Sequence, residues 1–124
     1  FLKSIATPNV KFRGFVPEKT YLRYLQDAKV YVQISMHESF GLSVAEAIAC
    51  ECVPIVTRKF ALPEVVGRYG LYVPPNNPKA LSVAIKKAFK MKNNKAGRER
   101  VIRKFSSKIR QERMNEIIDK LVKQ

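Results

Sequence analysis

Two glutamates, Glu38 and Glu46, stand with seven residues between them in a stretch that passes through Gly41 into an apolar run ending at Val53-Pro54. Carboxylates accept hydrogen bonds from hydroxyl groups, whereas the free amides at a helix N-terminus attract anions. Carboxylates bracketing a helix start therefore suit a ligand that is both phosphorylated and rich in hydroxyls, and the pattern points to a nucleotide-sugar site. Gly41 carries no Cβ to hold a diphosphate off the backbone. The N–H groups near Phe40, Gly41, Leu42 and Ser43 are the donors expected at the positive end of the helix dipole. Glu46 lies slightly more than one turn into that helix, where it can accept from a ribose hydroxyl pair. Glu38, at the base of the loop, can take sugar hydroxyls. Neither a G-x-G-x-x-G nor a P-loop is present, which sets aside the usual dinucleotide and triphosphate readings.

The elements that must position these residues follow from periodicity. Val10 to Phe15 alternates as a short strand closed by Gly14, and Pro17 suits the first position of a helix marked by Tyr21, Leu22, Leu25 and Ala28. Val30 to Ile34 is the clearest strand, apolar enough for a sheet covered on both faces, and it runs into the loop that carries Glu38. A helix over roughly 42–50 leads to a β-branched strand at 53–57, whose Pro54 belongs at the strand entrance. Leu62 to Val66 gives a helical turn ending at Gly67, and Gly70 to Val73 a last strand before the proline-rich punctuation of 74–78. An amphipathic helix through Ala80 and Phe89 comes next. Beyond Asn93-Asn94 a basic stretch leads to a further helix carrying Ile109, Met114, Ile117, Ile118, Leu121 and Val122. Strands joined by helices predict an α/β, Rossmann-like parallel sheet with flanking helices and a helical C-terminal region. In such a sheet ligands sit beyond the carboxyl ends of the strands, where the loop from Ser35 to Gly41 falls.

Composition bounds this reading. A chain of 124 residues, 46% of them hydrophobic, supports one core and predicts a single domain over residues 1–124. It begins at Phe1 with no basic leader and no long apolar run, and it reads as a piece of something longer. Cys50 and Cys52 lack a second pair to complete a zinc set and are expected as free thiols in a reducing cytoplasm. His37, the only histidine, reads as a loop residue without chemistry, and no metal site is predicted. The net charge of +14 is concentrated in the second half: residues 79–113 hold thirteen Lys and Arg against Glu99 and Glu112. Such a surface can attract nucleic acid or an anionic membrane. No recognition-helix or aromatic stacking motif accompanies it, which disfavours nucleic acid and leaves a membrane surface as the better alternative partner.

The pattern Ser35-x-x-Glu38-x-Phe40-Gly41-Leu42-x-x-x-Glu46-Ala47-x-Ala49, followed by Val53-Pro54-Ile55-Val56, resembles the signature of the family 4 (group 1) glycosyltransferases. Asn9-Val10-x-Phe12-x-Gly14, Leu62-Pro63-Glu64-Val65, Gly70-Leu71-Tyr72-Val73 and Phe105-Ser106 look like further family landmarks in the right order, so the resemblance covers roughly residues 8–122. It implies the C-terminal, donor-binding domain of a two-domain GT-B enzyme. Such enzymes transfer a hexosyl unit from a nucleotide-diphosphate sugar with retention of configuration and without an obligatory metal or other cofactor. Carried over by position, Glu38 is the carboxylate near the reacting centre, Phe40, Gly41, Leu42 and Ser43 face sugar and diphosphate, and Glu46 binds the ribose. Phe15 and Val16 are the expected contacts of the base. The resemblance also implies an N-terminal acceptor domain and a first βαβ portion, carrying an Arg and a Lys for the leaving diphosphate, that this chain lacks. It predicts an enzyme part that binds donor without turning it over; the free cysteines add the expectation of a cytoplasmic setting and the basic helices that of a peripheral place at the inner membrane face. Two positions depart from the family pattern: Phe60-Ala61 replaces a Gly-Gly, and Glu51 replaces a glycine.

Overall fold

Hydrophobic residues on alternating and helical periods need partners on both sides of a sheet, and the computed structural model, which describes residues 1–123, shows where each finds them. The elements run α1 (Leu2–Ile5), α2 (Glu18–Asp27), β1 (Val30–Gln33), α3 (Leu42–Ala49), β2 (Val53–Val56), α4 (Leu62–Val66), β3 (Leu71–Tyr72), α5 (Pro78–Lys90), α6 (Lys95–Phe105) and α7 (Ser107–Val122). The three strands form one parallel sheet in the order β1-β2-β3, with Val30 opposite Val53 and Ile55 opposite Leu71. The α/β architecture, the parallel sheet and the helical C-terminal region agree with the sequence.

Strand β2 is the centre of the molecule, with all four residues buried. Val53 and Ile55 face α5 through Ala84 and Ala88, while Val56 faces α3, α4 and α6 through Val44, Ile48, Leu62 and Val101. A third cluster joins α2 to α3 through Leu25, Ala47 and Cys52. Pro54 is accommodated because successive amides alternate sides. Val53 donates to Lys29 at 2.9 Å on the β1 side, so the donor that Pro54 lacks faces the other edge, where pairing with β3 begins only at Ile55.

Three expectations are corrected. Residues 10–15 form no strand: their only backbone bond is a local one from Val10 to Thr7 at 2.9 Å, and Val10 and Phe12 are exposed. Alternation marks a segment able to pair, but among the described residues no strand pairs with it. Strand β1, expected to be covered on both faces, is an edge strand with Val32 40% exposed. The doubly covered strand is its neighbour. Pro17 is the N-cap of α2 rather than its first residue, one position from expectation. The cysteines are free, and Cys52 is buried with its thiol donating to the Leu25 and Ala28 carbonyls at 3.1 and 3.3 Å.

Helix α6 is pinned by Asn94. Its side-chain amide donates to the carbonyls of Cys52 (3.0 Å) and Tyr69 (2.8 Å), while its oxygen caps the helix by accepting from Gly97 at 3.2 Å. Arg100 donates to the Glu64 carbonyl at 2.6 Å, tying α6 to α4. Helix α7 differs: it buries no residue, and Ile117, Ile118, Leu121 and Val122 are all exposed. Its amphipathic pattern has no partner among the described residues.

Candidate functional site

Helix α3 begins at the carboxyl end of the sheet, where β1 gives way to the loop through Ser35 and Gly41. Gly41 is its N-cap, in the left-handed conformation at φ 85°. A Cβ there would stand 3.0 Å from Leu62 Cδ2 and 3.6 Å from Glu38 Cγ, so the glycine is required both by its dihedral and by the packing of α4 beneath it. The first backbone bond of α3 runs from Ala45 to the Gly41 carbonyl at 3.0 Å. The amides of Leu42, Ser43 and Val44 therefore have no acceptor within the helix. No side chain caps them, and no acidic residue occupies the first turn.

Both glutamates are half-buried and each is oriented by one neutral donor. Gln33, the last residue of β1, donates from Nε2 to Glu38 at 2.7 Å, and Tyr31 donates to the Gln33 oxygen at 2.9 Å. Tyr21 on α2 donates to Glu46 at 3.1 Å. Each of these bonds uses one carboxylate oxygen, which leaves the second free to accept from a ligand. The Tyr31 phenol lies between the two systems. Burial is the main cause that pushes it above the usual phenol range; the Ser43 hydroxyl opposes the shift, and the charges of Glu46 and Glu38 add to it. Tyr21 is raised in the same way, chiefly by burial, with Ser43 again opposing. Both phenols therefore stay protonated at neutral pH and act as donors.

The structure brings Glu38, Gly41, Ser43 and Glu46 together around the start of α3. Val16 is half-buried and Phe15 fully exposed at 100%; together with Tyr21 they line a shallow groove of about 380 Å³. Through Tyr21 that groove adjoins Glu46. The side chains of Phe40 and Leu42 turn elsewhere. Phe40 meets Phe105 of α6 edge-on at 5.3 Å, and Leu42, 63% exposed, lines the same side. His37 stacks on Phe60 at 5.0 Å, and Phe60 sits at φ 49°, a left-handed dihedral at the position where the family pattern has glycine.

Sequence reasoning missed Tyr21, Tyr31 and Gln33. The last two were within reach, since residues two apart on a strand share a face and β1 leads straight to Glu38. The bond from Tyr21 to Glu46 spans 25 positions, and no local pattern announces it.

The group 1 glycosyl transferase family matches residues 3–108, a span that includes the loop, α3 and both glutamates. Curated relatives align over shorter stretches. The O-antigen chain mannosyltransferase B of Escherichia coli is 34% identical over 76 residues, 61% of this chain and 20% of that protein. The tRNA-queuosine alpha-mannosyltransferase of Drosophila melanogaster is 32% identical over 59 residues, 48% of this chain and 16% of that one. A GDP-mannose-dependent alpha-(1-6)-phosphatidylinositol dimannoside mannosyltransferase of Mycobacterium tuberculosis is 30% identical over 78 residues, 62% of this chain and 20% of the relative. The matched region thus spans a fifth or less of each relative. A family match running unbroken through the sheet and the two tethered carboxylates settles the kinship: the chain belongs to the group 1 glycosyl transferases.

Proposed function

We propose that this chain is the nucleotide-diphosphate-sugar-binding part of a retaining glycosyltransferase that moves a hexosyl unit to an acceptor. The observation that carries the reading is the open start of α3: three free amides behind a left-handed glycine, flanked by two carboxylates that each keep an oxygen available. In this reading the amides of Leu42 and Ser43 receive the diphosphate, where the helix dipole favours negative charge. Glu46 accepts from the ribose hydroxyls, Glu38 faces the donor sugar at the reacting centre, and the base lies in the groove of Phe15 and Val16. Charge builds on the diphosphate as the sugar leaves, so donors fixed in advance at that point stabilise the transition state more than the ground state. No resident metal is assigned to the site.

The three relatives are named as mannosyltransferases, and one as GDP-mannose-dependent, which makes GDP-mannose the first donor to test. Turnover is assigned to a longer protein in which an N-terminal domain supplies the acceptor site and a first βαβ portion of the donor-binding domain supplies further cations. One missing donor at a developing oxyanion costs about 3 kcal/mol, so the chain alone is expected to bind without detectable transfer. The proposed setting is the cytoplasm, at the inner membrane face. Among the described residues no helix is long and apolar enough to cross a membrane.

Calorimetric titration with GDP-mannose, UDP-glucose and ADP-glucose, with Glu46→Ala as control, tests the assignment. Binding of one nucleotide sugar that the substitution weakens supports it. Equal binding by both proteins, or binding of none of the three, contradicts it, whereas transfer by the chain alone would overturn only the expectation that it binds without turnover.

A further inference from the structure

Two side chains that touch no part of the proposed ligand stand directly behind Glu38. Tyr31 and Gln33 are two apart on β1 and share one face of the sheet. Tyr31 packs there against both the cluster of Val44 and Ile48 and that of Leu25, Ala47 and Cys52. The pair is therefore seated beneath α2 and α3, and its arrangement owes nothing to the free edge of β1. Its hydrogen bonds run one way. An ionised carboxylate only accepts, so the nitrogen of the Gln33 amide faces Glu38, at 2.7 Å. The amide oxygen is left facing Tyr31 and also only accepts, so the phenol must donate, at 2.9 Å. Tyr31 is suited to keep that proton, since burial is the main cause that raises it.

A glutamine tied at one end can swing aside, whereas one tied at both ends is held in a single plane. Glu38 sits in a loop, and a long carboxylate side chain left free there would lose its rotamer freedom only when a ligand arrived, at a cost to affinity. Gln33 removes that cost in advance. Being neutral, it also leaves Glu38 its full charge for accepting from a hydroxyl. We infer that Tyr31 and Gln33 are positioning residues that set the preference for a sugar-bearing nucleotide over the bare nucleoside diphosphate, an inference that rests on the donor site proposed above. They do so by aiming the free oxygen of Glu38 at a hydroxyl of the donor sugar. Glu46 is held separately, by Tyr21 from α2, so the sugar and the nucleotide are recognised through different supports.

Paired calorimetric titrations test this: GDP-mannose against GDP, UDP-glucose against UDP and ADP-glucose against ADP, each pair giving the factor that the sugar adds to affinity. Gln33→Met removes both amide bonds at similar side-chain length, and Tyr31→Phe removes only the phenol; thermal melting checks that both variants fold. The sugar's factor should fall roughly three- to tenfold in Gln33→Met and about two- to threefold in Tyr31→Phe, with affinity for the bare diphosphate changed less than about twofold. An unchanged factor in Gln33→Met would overturn the relay and leave the donor site standing. Equal losses for sugar nucleotide and bare diphosphate would make the pair merely structural and overturn it too. If the unaltered chain binds none of the six compounds, the donor site falls and the relay with it. The ligand-free chain supplies a separate check by nitrogen-15 NMR. The side-chain amide of Gln33 should show two distinct, slowly exchanging protons, and their exchange should quicken in Tyr31→Phe. Identical exchange in both proteins would remove Tyr31 from the relay.

Discussion

The two ends of α3 use the same left-handed backbone for opposite purposes. At the N-terminus Gly41 (φ 85°) leaves the first-turn amides open between Glu38 and Glu46. At the C-terminus Glu51 (φ 67°) closes the helix: its amide donates to Ile48 at 2.9 Å and that of Cys52 to Ala47 at 3.0 Å, the pairing of a Schellman motif. The Glu51 carbonyl in turn accepts from Asn94 at 3.1 Å. One end is satisfied by protein and the first-turn amides of the other have no helical acceptor. If the proposed site is right, stability and binding are separated along the eight residues of α3, and substitutions at the two ends should fall into different classes.

The largest expected effect is from Gly41→Ala, which places a Cβ against Leu62 in a dihedral that L-residues avoid. Urea unfolding should show a loss of about 2 kcal/mol or more, with nucleotide-sugar binding abolished. Retained binding would mean that the helix start is not the phosphate site. Glu46→Ala comes next. It removes a charged hydrogen-bond acceptor, so donor affinity should fall about 10- to 100-fold in calorimetry, while stability drops only about 1 kcal/mol through the lost Tyr21 bond. A larger stability loss without a change in affinity would make Glu46 structural.

Glu51→Gly acts at the other end with the opposite sign. Glycine relieves the left-handed strain and keeps the backbone bonds, and unfolding should show a gain of about 0.5 to 1 kcal/mol with donor affinity unchanged. A coupled change in affinity would show that the two ends are not independent. The smallest effect concerns Cys52, just past the closed end, whose thiol burial pushes up to about 11. A raised value keeps the neutral thiol dominant at pH 7 to 8, so a thiol reagent should modify Cys50 first. Reaction at Cys52 should rise only as pH climbs towards its raised value, and equal rates at pH 8, read by mass spectrometry, would show that this end opens readily.

Much of the sheet was legible because its signals are local. The apolar runs at 30–33 and 53–56, the proline and glycine stops and the helical periods of α2, α3 and α5 each reflect residues within a few positions of one another. Residues 10–15 show the limit, since they carry the strand pattern and form no ladder. A strand is a property of two segments, and alternation reports only on one. Helix α7 shows the same limit in another form, as its apolar stripe predicts the helix and says nothing of what covers it.

The candidate site divides along the same line. The sequence by itself determined the kinship, the order of strands and helices, and the placing of Glu38, Gly41 and Glu46 around a helix start, because residue types and spacing along one continuous segment carry all of that. Only the tertiary structure decided what holds the carboxylates, Gln33 for one and Tyr21 for the other. It also decided that Gly41 is required by the packing of Leu62, and that Phe40 and Leu42 turn towards α6 and α7. These contacts join segments far apart in the chain, and their partners are chosen by packing across the sheet rather than by any local preference.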